Sequence, residues 1–155
     1  MSPTSHPRAS VVVVADGPWQ DTYRCLMAVA RGAAGVPHEV IVLDEGTADE
    51  TGVALPRLEG VTVARSEEPL GFVHAANAGA ALARAPFMAL LHSDAEPHPG
   101  WLAPLVALAE ADPGVAAVAS RLVAPSGLLE GDGLALAYAA PYPLTPVPLG
   151  GGEPA

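Results

Sequence analysis

The stretch FMALLHSDAEPHPGWL, residues 87–102, decides how this chain folds. Its opening run of apolar residues, 87–91, is bounded at once by polar ones and reads as a strand. The run ends in His92-Ser93-Asp94. Pro99-Gly100-Trp101 then opens a helix predicted over residues 99–111, which Asp112-Pro113-Gly114 stops. A strand that hands over to a helix through a polar turn is half of a βαβ unit.

The same grammar repeats upstream. SVVVVA, residues 10–15, is a β-branched run typical of a central parallel strand. Asp16-Gly17-Pro18 breaks it, with Asp16 suited to cap a helix that runs to about Gly32 and carries Tyr23, Leu26, Met27 and Ala30 on one face. EVIVL, residues 39–43, is a second buried strand ending in Asp44, and DEGTADETG is a polar loop after it. A short third strand is predicted over 61–64 and an Ala-rich helix over 71–84. Downstream, residues 115–123 read as a fifth strand, Ser126-Gly127 as a turn and residues 128–139 as a returning strand. PYPLTPVPLGGGEPA closes the chain with five prolines and three glycines. It reads as a loose tail, or as a polyproline strap along a groove. The expected organisation is therefore an arm over 1–8, one domain over 9–139 and a tail over 140–155.

Length and composition agree with a single globular domain, at 155 residues of which 50% are hydrophobic. The net charge is −10, from 7 basic and 17 acidic residues, which repels a phosphate backbone and argues against nucleic acid as a partner. A single diphosphate is a different case, because a metal ion and backbone N–H groups can hold it. No apolar run approaches the roughly 20 residues of a membrane span, and no apolar core follows the N-terminal charges as in a secretory signal. Cys25 is the one cysteine and falls in a helical pattern, so a buried structural thiol and a cytoplasmic setting are expected.

Alternating strands and helices imply an α/β fold, a mainly parallel Rossmann-like sheet flanked by helices. Ligands of such sheets sit at the carboxyl ends of the strands. Asp16, Asp44 and the His92-Ser93-Asp94 group all fall just past a predicted strand end, so three carboxylates are expected on one rim. Asp following a strand is also a common helix cap.

These pieces in this order resemble the family 2 glycosyltransferases of the GT-A fold. Asp44, Gly46, Asp49 and Thr51 match that family's second-strand Asp and the polar loop after it. Glu67-Glu68-Pro69-Leu70-Gly71-Phe72 matches its turn, with Asn77 and Gly79 in the helix that follows. His92-Ser93-Asp94 stands where the family carries an Asp-x-Asp or Asn-x-Asp triplet, and Pro99-Gly100-Trp101-Leu102 follows as expected. The resemblance covers roughly residues 9–135.

The resemblance implies a nucleotide-diphosphate sugar as donor, a pyrimidine one (UDP or dTDP) by the Asp44 position, with a divalent metal, Mn or Mg. Asp16, Asp44, Gly71, Asn77 and Ser93 would contact the nucleotide, and Asp94 with His92 the metal. Asp44 would accept the base N3–H, or cap its own loop. Gly71 would let the start of the next helix face a phosphate. Asn77 would bond the nucleotide, or satisfy backbone within an Ala-rich helix whose small residues pack on the sheet.

The chain also departs from the pattern. His92 replaces the first acid of the triplet, and imidazole shifts preference toward transition metals. With His74 and His98 nearby in the expected fold, a wider metal cluster is one reading of it; a plain strand-end histidine is the other. Ala75 and Ala76 stand where a basic residue precedes the helix Asn. The segment that brings base and acceptor is expected to be missing, leaving Asp132 as the candidate base and an unknown acceptor. Two functions follow, inverting sugar transfer, or a shortened homologue that binds a nucleotide or a partner without transfer. Leu134, Leu136, Tyr138 and Tyr142 are expected to leave an apolar surface, which a homodimer would cover.

Overall fold

Unbroken β-branched runs become the centre of the sheet. In the computed structural model, which describes residues 6–33, 35–124, 126–131, 134–137 and 145–148, β1 (Ala9–Ala15) is buried at every position. It is flanked by β2 (His38–Asp44) and β4 (Phe87–His92), and β2 pairs with β3 (Val61–Arg65). All pairings are parallel and the order is β3-β2-β1-β4. The chain thus steps outward from β1 to β3 and then returns past β1 to lay down β4. The crevice between β1 and β4 is the point where the winding reverses, the place where open α/β sheets bind ligands.

Side chains of successive strand residues face opposite ways, and the two faces carry separate cores. On one face Val11, Val13, Val40 and Val42 pack with Cys25, Leu26 and Val29 of α1 (Trp19–Gly32) and with Leu102 and Val106 of α4 (Leu102–Ala111). On the other, Val12, Val14, Ile41 and Leu43 meet Ala75 and Ala78 of α3 (Phe72–Leu82). Gly79 is required here, since a Cβ would overlap Val12 Cγ1 and lie 2.9 Å from Leu43 Cδ2. The small residues of α3 therefore serve close helix-on-sheet packing, one of the two roles their composition suggests. A single turn of helix, α2 (Thr51–Ala54), completes the loop between β2 and β3.

The chain divides into two compact units, Met1–Val106 and Ala107–Ala155. The second differs from its sequence reading. Only Leu122–Val123 (β5) of the expected fifth strand forms, paired antiparallel with Leu129–Gly131 (β6). Leu134–Ala137 (β7) pairs with Thr145–Pro148 (β8), a strand inside the segment read as a tail. Among the described residues β8 pairs with β7 alone, and an edge strand tolerates proline because its outer N–H groups need no partner. α4 begins at Leu102, not at Pro99, because Gly100 at φ 80 cannot be a helical residue.

Candidate functional site

The winding crevice gathers the polar strand ends. His92 closes β4 in register beside Val14 of β1, and Asp16 follows two residues later. The imidazole lies between two carboxylates, Nε2 at 3.1 Å from Asp16 Oδ2 and Nδ1 at 3.0 Å from Asp94 Oδ1. The Phe72 ring, first in α3, stacks on His92 with centroids 5.7 Å apart. Asp94 is the most open of the group, its side chain 70% exposed against 37% for Asp16. Asp16 and Asp94, predicted from strand ends alone, thus share one rim and are joined by the residue that departs from the Asp-x-Asp pattern.

Asp16 does not cap α1. That work falls to Asp49 of the β2–α2 loop, whose Oδ2 accepts from Trp19 N at 2.6 Å while Oδ1 accepts from Thr51 N at 2.9 Å. Asp16 is thereby free to face His92. Ser93 is buried beside Gly17, and its Oγ has no hydrogen-bond partner among the described residues. A buried hydroxyl left unmatched at the rim of a site marks a place where a ligand oxygen would relieve a real cost.

At the end of β2, Asp44 is 2% exposed and its carboxylate is engaged on both oxygens. Oδ1 accepts from Thr47 N at 3.0 Å and Thr47 Oγ1 at 2.7 Å, and Oδ2 pairs with Arg65. The loop-capping role is thus present, and Arg65 stands between this carboxylate and solvent. Glu45, also buried, accepts from Leu70 N at 3.1 Å and Gly71 N at 3.0 Å. The Gly71 N–H is therefore already bonded, and what Gly71 supplies is its φ of 79 at the start of α3, which carries no side-chain cap. Asn77 is exposed on α3. Asp132 lies outside the described residues, as do Tyr138 and Tyr142.

Arg65, Glu45 and Ser93's unmatched hydroxyl carry the rim's polar order as much as the expected acids do. Arg65 and Glu45 escaped the sequence reading because a strand-end arginine or glutamate means nothing until the register is known. Behind the rim, Cys25 Sγ lies 3.8 Å from His92 O. Burial first, then the charges of Asp94 and Glu96, push its thiol up to about 12, so it is an inert structural thiol at neutral pH.

No group of three or more His, Cys, Asp or Glu side chains among the described residues is arranged to hold a metal ion. The wider cluster with His74 and His98 therefore does not form. His92 keeps its two carboxylates on opposite edges of the ring, so the three do not converge. The donor set nonetheless suits one kind of cation, an ion that takes one or two carboxylates and draws its remaining oxygens from water and substrate phosphates.

The Glycosyl transferase family 2 model matches residues 10–134. Among solved structures, the chain superposes on the mannosyltransferase PcManGT from Pyrobaculum calidifontis, in complex with GDP-Man and Mn2+, with a TM-score of 0.68 and 28% identity. That match covers 80% of this chain and 38% of the mannosyltransferase. S. aureus TarS shares the fold at a TM-score of 0.59 and 20% identity, over 67% of this chain and 20% of TarS. By sequence, the uncharacterised protein y4gI of Sinorhizobium fredii is 30% identical over 140 residues, 84% of this chain and 15% of y4gI. Polypeptide N-acetylgalactosaminyltransferase 4 of Caenorhabditis elegans is 34% identical over 70 residues, 44% of this chain and 12% of that enzyme. The chain thus spans well under half the length of each of these relatives.

Proposed function

The chain belongs to glycosyl transferase family 2, and on that premise we propose that its β1/β4 crevice binds the diphosphate of a nucleotide-sugar donor for inverting sugar transfer. The observation that carries this reading is the Asp16–His92–Asp94 group at the point where the sheet reverses its winding. Asp94, with His92 or Asp16 beside it, would hold a divalent ion, Mn or Mg. Such an ion, when bound, neutralises the charge that builds on the leaving diphosphate.

The residues of this chain do the rest. Ser93 Oγ donates to a donor oxygen and gains the partner it lacks. Beyond the Gly71 N–H that Glu45 already engages, the first N–H groups of α3 are the proposed donors to the phosphates, which a helix N-terminus favours. Asn77, exposed on the same helix, is the proposed further contact to the nucleotide. The base sits toward Asp44 and Arg65. A pyrimidine, uracil or thymine, fits the Asp44 position, and guanine is the second reading because the mannosyltransferase neighbour holds GDP-Man. An acceptor hydroxyl would attack the anomeric carbon opposite the diphosphate while a general base takes its proton. Asp132 is the proposed base.

Calorimetric titration with UDP tests the reading. Binding is expected to tighten by about ten-fold or more when MnCl2 is added, as for a charge-assisted contact, and Asp94→Ala is expected to lose that gain. Wild-type binding indifferent to the metal would remove the diphosphate from this crevice. Transfer to water or to added sugars then separates an enzyme from a module that only binds.

We also propose a homodimer. The surface expected from the sequence is Leu134, Leu136, Tyr138 and Tyr142, and Met88 and Leu90, 47% and 38% exposed on the edge strand β4, are further apolar residues that a second copy could cover. Sedimentation velocity at micromolar concentration should show twice the 15.6 kDa chain mass. A single species at the chain mass would contradict it.

A further inference from the structure

Arg65 is the last residue of β3 and stands in register beside Asp44, the last of β2. Parallel neighbours point the same way, so the guanidinium falls directly on the carboxylate. Nη1 donates to Asp44 Oδ2, and Nη2 donates to Thr47 O at 2.9 Å. A Cβ at Gly52 would overlap Arg65 Nη1, so the glycine leaves open the slot that the guanidinium fills. The anchoring Asp44 side chain is 1% exposed, whereas that of Arg65 is 44% exposed. Immobilising a long side chain costs rotamer entropy. An arginine serving only solubility has no use for a buried carboxylate, a carbonyl and a glycine slot. Held in this way it is a preorganised set of N–H donors presented at the carboxyl rim of the sheet.

Taking the donor reading above as given, we propose that Arg65 selects the nucleobase and that Asp44 is the positioning residue that works through it. A guanidinium donates and never accepts. Of the exocyclic groups at the 4-position of a pyrimidine or the 6-position of a purine, it can bond a keto oxygen and not an amino group. Uracil and thymine carry one at the pyrimidine 4-position and guanine at the purine 6-position, where cytosine and adenine carry an amino group. An amino group facing Arg65 sets donor against donor and leaves both unsatisfied, the situation that gives hydrogen-bonding sites their strongest discrimination. The site therefore takes keto nucleoside diphosphates and rejects amino ones. Asp44 keeps its bonds to Thr47 and Arg65 throughout, which its burial requires.

Calorimetric titration of the full chain with UDP, GDP, CDP and ADP, each with MnCl2, reads the selection directly. The wild type is expected to bind UDP or GDP about ten-fold or more tightly than CDP and ADP, the size of one hydrogen bond to a charged group. Arg65→Ala, checked for a native circular dichroism spectrum, is expected to bind all four with similar affinity, and Arg65→Lys to keep part of the preference. Should Arg65→Ala fail to fold, Arg65→Met keeps the reach of the side chain without its donors and carries the same comparison. Equal wild-type affinity for the four, or a preference unchanged in a folded donor-less variant, overturns the role of Arg65. A wild type that binds none of them overturns the donor reading itself, which distinguishes the two failures.

Discussion

Glu39 and Asp44 sit at opposite ends of one strand and show how differently two buried carboxylates are used. At the amino rim, Glu39 accepts from Ser10 Oγ at 2.6 Å, Arg84 N at 2.8 Å and Arg84 Nε at 2.7 Å. Burial alone would raise its pKa, but the Ser10 hydroxyl, the Arg84 N–H and the guanidinium outweigh it and hold the carboxyl below its usual range. A folded-state pKa below the unfolded one stabilises the protein above the unfolded value, near 4.3, and that contribution fades as pH falls through the folded value. Glu39→Gln is therefore expected to cost about 1.5–3 kcal/mol at pH 7, the range for hydrogen bonds to a charged group. The gap to wild type should narrow in denaturant titrations as pH falls below the usual carboxylate range and close once Glu39 itself becomes neutral in the folded chain. A gap that stays constant with pH would mean that the charge is not what matters. Asp44, by contrast, turns its bonds toward the loop and Arg65 at the functional rim. Both acids were visible in the sequence as strand-flanking residues. Their partners were not, because Arg84 and Arg65 are brought in by a helix end and a strand register that no local pattern encodes.

At the scale of elements, β1, β2 and β4 were legible because short apolar runs bounded by polar or turn-forming residues admit few other structures. The helix between β3 and β4 was legible from its alanines, and Gly79 from the packing that such a run implies. The N-terminus of α1 was misread. Asp16 stands where a cap belongs in sequence, but Asp49 reaches the Trp19 N–H from another loop, and the local residue turns to His92 instead. The same limit explains residues 115–121. Their apolar character suggested a strand, yet a strand exists only where a partner is in register, and pairing begins at Leu122. The β7–β8 pair errs in the other direction, because prolines forbid a sheet interior without forbidding an edge.

For the molecule as a whole, charge sets the terms of donor binding. A chain of net charge −10 that gathers Asp16 and Asp94 at one crevice repels a diphosphate unless a cation lies between them. Among the described residues no helix is long and apolar enough to cross a membrane. The central claim is that diphosphate and cation meet at the carboxyl rim between β1 and β4. Mn2+ is paramagnetic and broadens nearby NMR signals with a steep dependence on distance, and the 7 residues of β1 separate the two rims by roughly 20 Å. Adding substoichiometric MnCl2 with UDP to the 15N-labelled chain should erase the amide signals of Gly17, His92 and Asp94 first and spare those of Ser10, Glu39 and Arg84. Broadening centred on the amino rim, or spread evenly over both, would contradict the account.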